Sequence, residues 1–214
     1  MDSFDKILII CPHTDDGELG CGGAIAKFIR EGKEVFYAAF SSADESVPPG
    51  FPRDILKTEV REATRILGLK PENLILFNYP VRNFPGHRQQ ILDDLIGLKR
   101  KIDPGIVMLP SVFDVHQDHQ VMYQEGLRAF KGTQVSILGY ELPWNNLTFE
   151  TESFVVLGKS DLDKKIAALA CYKSQGNRFY MSPDFISSLA KVRGGQSGDA
   201  EYAETFQVVK WTIR

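Results

Sequence analysis

The sequence has few cysteines, and their arrangement excludes two kinds of site. Cys11, Cys21 and Cys171 are the three cysteines among 214 residues. Their number is odd and they form no Cys-x-x-Cys pair, so they indicate neither a disulfide framework nor a thiolate zinc site. They are expected to be small buried thiols in a reducing environment, and the sequence therefore predicts a cytoplasmic protein.

The sequence also lacks a basic cluster and a long hydrophobic run. Its 25 Lys and Arg residues against 28 Asp and Glu residues give a formal net charge of −3. Because nucleic-acid binding depends on clustered cations that contact phosphates, nucleic acid is not an expected partner. The longest apolar run near the start, residues 7–11, is far shorter than the roughly 20 residues that cross a bilayer. We therefore expect no membrane span and no export signal.

Short apolar runs rich in β-branched residues alternate with stretches of helical periodicity. This alternation is typical of strand-helix units around a mainly parallel sheet, and it predicts an α/β fold. The predicted strands are residues 6–11, 34–40, 74–77, 106–109 and 135–140, and the clearest predicted helices are 55–67 and 90–101. Since no repeat or linker divides the chain, we expect a single domain over residues 1–214.

The last third of the chain has a different pattern. Residues 153–157 and 204–213 have the β-branched and aromatic content of strands, and residues 162–172 have the periodicity of a helix. These elements could form an antiparallel edge of the sheet or a small cap, and in either case a small C-terminal extension. The tract 193–198 contains three glycines among six residues and predicts a mobile loop, because glycine loses the most backbone freedom on ordering.

Two polar clusters follow the first and fourth predicted strands. In an open α/β sheet the carboxyl ends of parallel strands lie at one edge, where ligands bind, so we expect the clusters to meet. Their members are His13, Asp15, Asp16, Asp114, His116, Asp118 and His119.

Imidazole and carboxylate groups are the ligands that zinc takes when thiolate is absent, and a catalytic zinc site keeps one position for water. Zinc lowers the pKa of that water towards about 7, and a nearby carboxylate can take up its proton during attack. Asp15 and Asp16 suit the roles of metal ligand and proton acceptor, although their spacing does not show which residue has which role. One of His116 and His119 could bind the metal while the other donates to an oxyanion. Asp114 or Asp118 could orient a histidine.

The glycines after the first cluster admit another interpretation, as a phosphate cradle at a helix N-terminus. From Gly20, the pattern Gly-x-Gly-x-x-Gly requires glycine at position 25, where this sequence has Ile25. We therefore interpret Gly20, Gly22 and Gly23 as points of close packing between helix and sheet. A non-catalytic nucleotide- or sugar-binding module and a structural metal site remain alternatives to an enzyme.

Both clusters resemble those of the PIG-L/LmbE family of zinc-dependent N-acetyl-sugar deacetylases. The segments that carry the resemblance are His13-Thr14-Asp15-Asp16, Leu19-Gly20-Cys21-Gly22-Gly23 and His116-Gln117-Asp118-His119. Later segments, around residues 59–68, 165–175 and 203–206, are similar in outline. The resemblance implies a Rossmann-like sheet and a hydrolase that removes the N-acetyl group from a GlcNAc-type sugar or sugar conjugate and releases acetate.

The resemblance also implies a role for each residue of the two clusters. It assigns metal ligation to His13, Asp16 and His119, and the general base to Asp15. His116, with Asp118 beside it, would polarise the tetrahedral intermediate, so the implied catalytic residues are Asp15, His116 and Asp118. Zinc is the implied cofactor, with ferrous iron as an alternative. Relatives of this kind often form homo-oligomers, which is an open expectation for this chain.

Two positions depart from the family pattern. Thr14 stands where the family usually has proline, and Leu56 stands where an arginine is often found. The second departure moves the expected substrate contact to Arg53 or Lys57.

Several further residues are candidates for substrate contact. Arg82 lies in a loop, residues 81–88, that also holds His87 and Arg88, and it could bind a phosphate or carboxylate of the substrate. Trp144 could stack on a sugar face, or it could belong to the core or to a subunit contact. The segment with Asn177, Arg178 and Tyr180 could close over the substrate.

Overall fold

The structure is a computed structural model that describes residues 4–213. Its strands are β1 (Lys6–Cys11), β2 (Glu34–Ala39), β3 (Leu74–Leu76), β4 (Ile106–Pro110), β5 (Ser136–Tyr140), β6 (Ser153–Leu157) and β7 (Tyr202–Lys210). Its helices are α1 (Asp16–Arg30), α2 (Ile55–Leu67), α3 (Arg88–Ile102), α4 (Gln117–Phe130), α5 (Lys159–Leu169) and α6 (Pro183–Gln196).

The seven strands form one sheet in the order β3-β2-β1-β4-β5-β7-β6. Strands β1 to β5 pair in parallel, whereas β7 pairs antiparallel with both β5 and β6. The predicted α/β fold is therefore confirmed, and its C-terminal extension is an antiparallel edge and not a cap. The order reverses between β1 and β4, which opens a crevice at the carboxyl ends of these two strands.

Strand β1 is buried on both faces, which explains its unbroken apolar run. Ile7 and Ile9 face the core beneath α1, α2, α5 and α6, while Leu8 and Ile10 face the core beneath α3 and α4. Among residues 4–213, no helix combines the length and apolar character needed to cross a membrane.

Helix α1 is interrupted at Cys21, whose φ of −147° and ψ of 26° are not helical. Two buried side chains satisfy the backbone groups that the interruption frees. Glu204 accepts hydrogen bonds from the amides of Gly23 and Ala24 at 2.9 and 2.7 Å, and Lys165 donates to the carbonyl of Leu19 at 2.7 Å. Lys165 and Glu204 also pair with each other at 2.6 Å.

The glycines of α1 are required by close packing, as the sequence predicts. A Cβ at Gly20 would lie 2.5 Å from the ring of Tyr140, and one at Gly23 would lie 2.4 Å from Leu157. The first turn of α1, which carries Asp16, is thereby held close to the sheet.

The prediction of a mobile loop over residues 193–198 is wrong, because α6 continues to Gln196. Gly194 allows this continuation: a Cβ there would lie 2.5 Å from the carbonyl of Ala200. Arg193 pairs with the carboxylate of Glu141, which fixes the end of α6 to the segment after β5. The predicted helix 162–172 also begins earlier, at Lys159, since Asp161 accepts the amide of Gly158 at 3.0 Å.

Candidate active site

The two polar clusters occupy neighbouring loops, as their positions after β1 and β4 predict. The first loop joins β1 to α1 and the second joins β4 to α4, so both lie at the crevice between these strands. His116 caps α4 and His119 lies in its first turn. As a result, side chains more than 100 positions apart in sequence come into contact.

Three potential ligand atoms form a small triangle. His13 Nδ1 lies 3.2 Å from Asp16 Oδ2, and His119 Nε2 lies 3.3 Å from both Asp16 Oδ2 and His13 Nδ1. All three residues are buried. With zinc–ligand distances of about 2.0–2.1 Å, two ligands of one tetrahedral ion stand about 3.3–3.4 Å apart. The triangle therefore fits one face of a tetrahedral metal site.

A second possible set consists of imidazoles only. Ring nitrogens of His13, His116 and His119 lie within 4.8 Å of one another. However, Nδ1 of His116 already accepts the amide of Asp118 at 3.2 Å, and His116 is more exposed than the other two. The shorter distances to Asp16 make the set of His13, Asp16 and His119 the better fit.

Both histidines of the triangle have a carboxylate behind them. His119 Nδ1 lies 2.7 Å from Asp114 Oδ2, and His13 Nε2 lies 3.0 Å from Asp118 Oδ2. Such contacts fix the ring orientation and leave the opposite nitrogen for a metal. Asp118 is fully buried and also accepts the amides of Arg82 and Phe84. It therefore lies behind His13 and not in the crevice.

The carboxylate of Asp16 and the ring of His119 shift each other's pKa. Burial alone would lower the pKa of His119, but the charge of Asp16 and hydrogen bonds with Asp114 and Asp16 raise it to about 10. Burial likewise opposes ionisation of Asp16, whereas the charge and hydrogen bond of His119 hold its pKa well below the usual value. Without a metal, His119 carries a proton at neutral pH.

Asp15 has the opposite shift. Burial and the adjacent charge of Asp16 raise its pKa to about 6, although Arg178 and His13 act against this. A carboxyl group that titrates near neutrality can exchange a proton readily at physiological pH.

His116 is neutral near pH 7, because burial and the charges of His119 and His13 lower its pKa to about 4. Since its Nδ1 accepts the amide of Asp118, the neutral ring carries its proton on Nε2. His116 therefore presents a hydrogen-bond donor without a positive charge.

A buried group that the sequence analysis missed holds the backbone between His13 and Asp15. The hydroxyls of Tyr37 and Tyr172 lie 2.7 and 2.6 Å from the carbonyl oxygen of Thr14, and both also contact the carboxyl group of Glu18. Burial raises the pKa of Glu18 to about 8. No motif marks these tyrosines, which come from β2 and from the segment after α5.

The crevice contains a cavity of about 210 Å³, which is bordered by Asp15, both clusters' histidines and several residues from later loops. Arg82, Trp144, Arg178 and Tyr180 border it, as the sequence suggests. The rings of Trp144 and Tyr180 stack with centroids 3.9 Å apart.

Other candidates for substrate contact lie elsewhere. Arg53 is exposed and does not border the cavity, and neither does Asn177. Lys57 pairs with Asp44 and Arg88 with Glu125, while His87 contacts the ring of Tyr79. The loop residue 82 therefore turns towards the crevice, whereas residues 87 and 88 turn away.

Comparison with known proteins gives a family match that includes both clusters. A family model described as PIG-L, GlcNAc-PI de-N-acetylase, matches residues 8–130, which is more than half of the chain. The uncharacterized deacetylase YaiS of Escherichia coli strain K12 is 30% identical over 175 residues, covering 78% of this chain and 90% of that protein. The diacetylchitobiose deacetylase of Thermococcus kodakarensis is 29% identical over 124 residues, covering 54% of this chain and 45% of that protein.

Solved structures of deacetylases and of a hydratase share the fold. The hydratase, GalB from Pseudomonas putida KT2440, superposes with a TM-score of 0.81 at 21% identity and covers 98% of each chain. At this level of identity the structural likeness shows the fold alone, and the fold supports more than one reaction.

Proposed function

The chain belongs to the PIG-L family, and on this premise we propose that it is a metal-dependent hydrolase that removes the N-acetyl group from a GlcNAc-type sugar or sugar conjugate. The observation that carries the proposal is the triangle of His13, Asp16 and His119 beside the carboxyl group of Asp15. A structural metal site would not need an adjacent acid with a pKa near neutrality.

Zinc would be held by His13, Asp16 and His119, with ferrous iron as an alternative for the same ligands; when bound, it would polarise the acetyl carbonyl and acidify the attacking water. Asp114 and Asp118 fix the two imidazoles for this purpose. They act as positioning residues, since neither borders the cavity.

Asp15 is the proposed general base. It takes a proton from the attacking water as the new carbon–oxygen bond forms, and this proton is then available to the amine that leaves when the carbon–nitrogen bond breaks. His116 donates from Nε2 to the oxygen of the tetrahedral intermediate, where negative charge develops. Because its pKa is low, His116 makes this hydrogen bond as a neutral donor.

The experiment compares Asp15→Asn with the wild type for acetate release from N-acetylglucosamine derivatives and for bound metal. We expect the variant to retain its metal and to lose turnover by a factor of about 10² to 10⁴, as for a general base. Asp93→Asn, which makes the same change at an exposed site on α3, should keep full activity. Full activity of Asp15→Asn would reject the role of Asp15.

A further inference from the structure

Gln175 is a buried polar side chain of the cavity that the proposed mechanism does not use. It follows α5, is only 3% exposed, and borders the same cavity as Asp15 and the triangle. Trp144, Arg178 and Tyr180 border this cavity too, but they are more exposed. Burial therefore places Gln175 at the inner end of the cavity, with the triangle, and the other three residues at its mouth.

Ser174 determines which atom of the Gln175 amide faces the cavity. The hydroxyl of Ser174 has one proton, which it donates to Glu59 Oε2 at 2.6 Å, and the main-chain N–H of Ser174 donates to Glu59 Oε1 at 2.9 Å. The hydroxyl oxygen can therefore only accept from Gln175, whose Nε2 lies 3.1 Å away. The other end of the amide, Oε1, consequently points away from Ser174.

Oε1 of Gln175 is a free acceptor that a ligand can reach. Within residues 4–213 the side chain of Gln175 makes one hydrogen bond, through Nε2, and none through Oε1. The side-chain atoms in this range that are both enclosed and unpaired are Thr14 Oγ1 and Asp44 Oδ1. Oε1 is not one of them, so it is accessible, and the cavity is where it is accessible. A ligand with an N–H or O–H group would satisfy it.

Gln175 is tied to the loop that carries Asp15. Its main-chain N–H donates to the carbonyl of Tyr172 at 3.1 Å, and the hydroxyl of Tyr172 lies 2.6 Å from the carbonyl oxygen of Thr14. The cavity volume of about 210 Å³ is below the roughly 300–1,000 Å³ of typical ligand pockets. A ligand group bound at the triangle therefore lies beside Gln175.

We propose that Gln175 selects amide substrates, with Oε1 accepting a hydrogen bond from the N–H of the substrate's N-acetyl group. This N–H is attached to the carbonyl carbon that is attacked, so it lies at the inner end of the cavity, whereas the sugar ring extends towards the mouth. The inference rests on the proposed function, because it places the acetyl group at the same metal site.

An acetate ester has an oxygen in place of this N–H. It would leave Oε1 unpaired and bring two acceptor oxygens together, because the bond to Ser174 prevents the amide of Gln175 from turning over. A site that forms a hydrogen bond with an N–H of its substrate discriminates strongly against an analogue that lacks it. Gln175 would thus distinguish N-acetyl from O-acetyl groups.

The test compares acetate release from methyl N-acetylglucosaminide with release from the matched ester, methyl 2-O-acetylglucoside, at pH 7. The variant is Gln175→Met, in which an unbranched side chain of similar length has only a weak acceptor. We expect kcat/KM for the amide to fall by a factor of about 10 to 100 and kcat/KM for the ester to stay within about threefold of the wild type. Retained turnover of the ester would show that the fold and the metal site are intact.

Ser174→Ala is a second variant, which frees the amide of Gln175 to turn over while the main-chain bond to Glu59 remains. It should raise kcat/KM for the ester relative to the amide, since Nε2 could then donate to the ester oxygen. Gln90→Met makes the same change as Gln175→Met at an exposed position on α3 and should leave both values unchanged.

An unchanged ratio of the two kcat/KM values in Gln175→Met would overturn the proposal. An equal loss for both substrates would also overturn it, since it would indicate contact with a sugar hydroxyl or a merely structural role. A wild-type ratio in Ser174→Ala would contradict the orientation of the amide. If ester turnover is too slow to measure, the inhibition constant of the ester against the amide replaces it and should be the same in wild type and Gln175→Met.

This outcome is separable from that of the proposed function. A zinc-loaded wild type that releases no acetate from the amide would reject the deacetylase. Acetate release by the wild type, with the same ratio of amide to ester in Gln175→Met, would support the deacetylase and reject only the role of Gln175.

Discussion

At the scale of single residues, Asp15 determines the expected pH dependence of turnover. Its pKa of about 6 reflects burial and the adjacent charge of Asp16. A general base acts in its ionised form, and a bound divalent ion would lower this pKa, so kcat/KM should be level above about pH 6 and should fall as the pH decreases below it. The pH profile of acetate release checks this, and a rate that rises as the pH decreases below about 6 would contradict it.

Thr14 is a second residue with a measurable consequence. Its side chain is fully buried, and its Oγ1 has no hydrogen-bond partner, whereas its carbonyl is held by Tyr37 and Tyr172. Thr14→Val removes the unpaired hydroxyl and keeps the shape, so we expect a gain of about 1 kcal/mol in the free energy of unfolding, with activity retained. Urea denaturation measures this gain. A loss of stability would show that the hydroxyl has a partner, such as a bound water.

The residues of the proposed metal site and the proposed base are easier to find in the sequence than the residues that support them. The acids and histidines stand in two short motifs at strand ends, where residue type and position alone indicate metal chemistry. Tyr37 and Tyr172 support the same loop from distant parts of the chain, and a buried tyrosine in a strand has the same pattern as any core residue. Their role depends on tertiary contacts that spacing does not reveal.

The interrupted helix α1 illustrates how elements at the far end of the chain position the site. Glu204 of β7 and Lys165 of α5 together satisfy the backbone at the break, and both are buried. Removing one member of a buried pair leaves the other uncompensated, which typically costs about 3–5 kcal/mol.

We therefore expect Glu204→Gln to lower the free energy of unfolding by several kcal/mol, as measured by urea denaturation. Lys159→Met, which breaks the exposed pair with Asp163, should cost less than about 1 kcal/mol. If both variants were equally stable, the break in α1 would not depend on the buried pair.

Element types were predictable where the periodicity was strong, as in α2 and β6, whose predicted bounds match the observed ones. The sequence does not predict helix α6, because the three glycines of residues 193–198 indicate a loop. Its N-terminal signal was present: Ser182 accepts the amide of Phe185 at 3.2 Å and Pro183 follows at the first helical position. Whether Gly194 breaks the helix depends on the backbone it packs against, which the sequence does not show.

At the scale of the whole molecule, we expect metal binding to be coupled to the release of protons. His119 has a pKa of about 10 in the absence of a metal, so it holds a proton that a metal would displace. We expect zinc affinity to rise with pH through the neutral range and zinc binding to release protons. Calorimetry in two buffers with different ionisation enthalpies measures the release. An observed enthalpy that does not depend on the buffer would contradict this coupling.

The most direct test of a catalytic metal at His13, Asp16 and His119 is a zinc titration of metal-free protein, with acetate release from N-acetylglucosamine derivatives as the readout. We expect no release without metal, a rise that saturates at one zinc per chain, and no such rise for His119→Ala. Acetate release that persists in metal-free protein, or an unchanged titration for His119→Ala, would contradict the assignment of a catalytic metal to His13, Asp16 and His119.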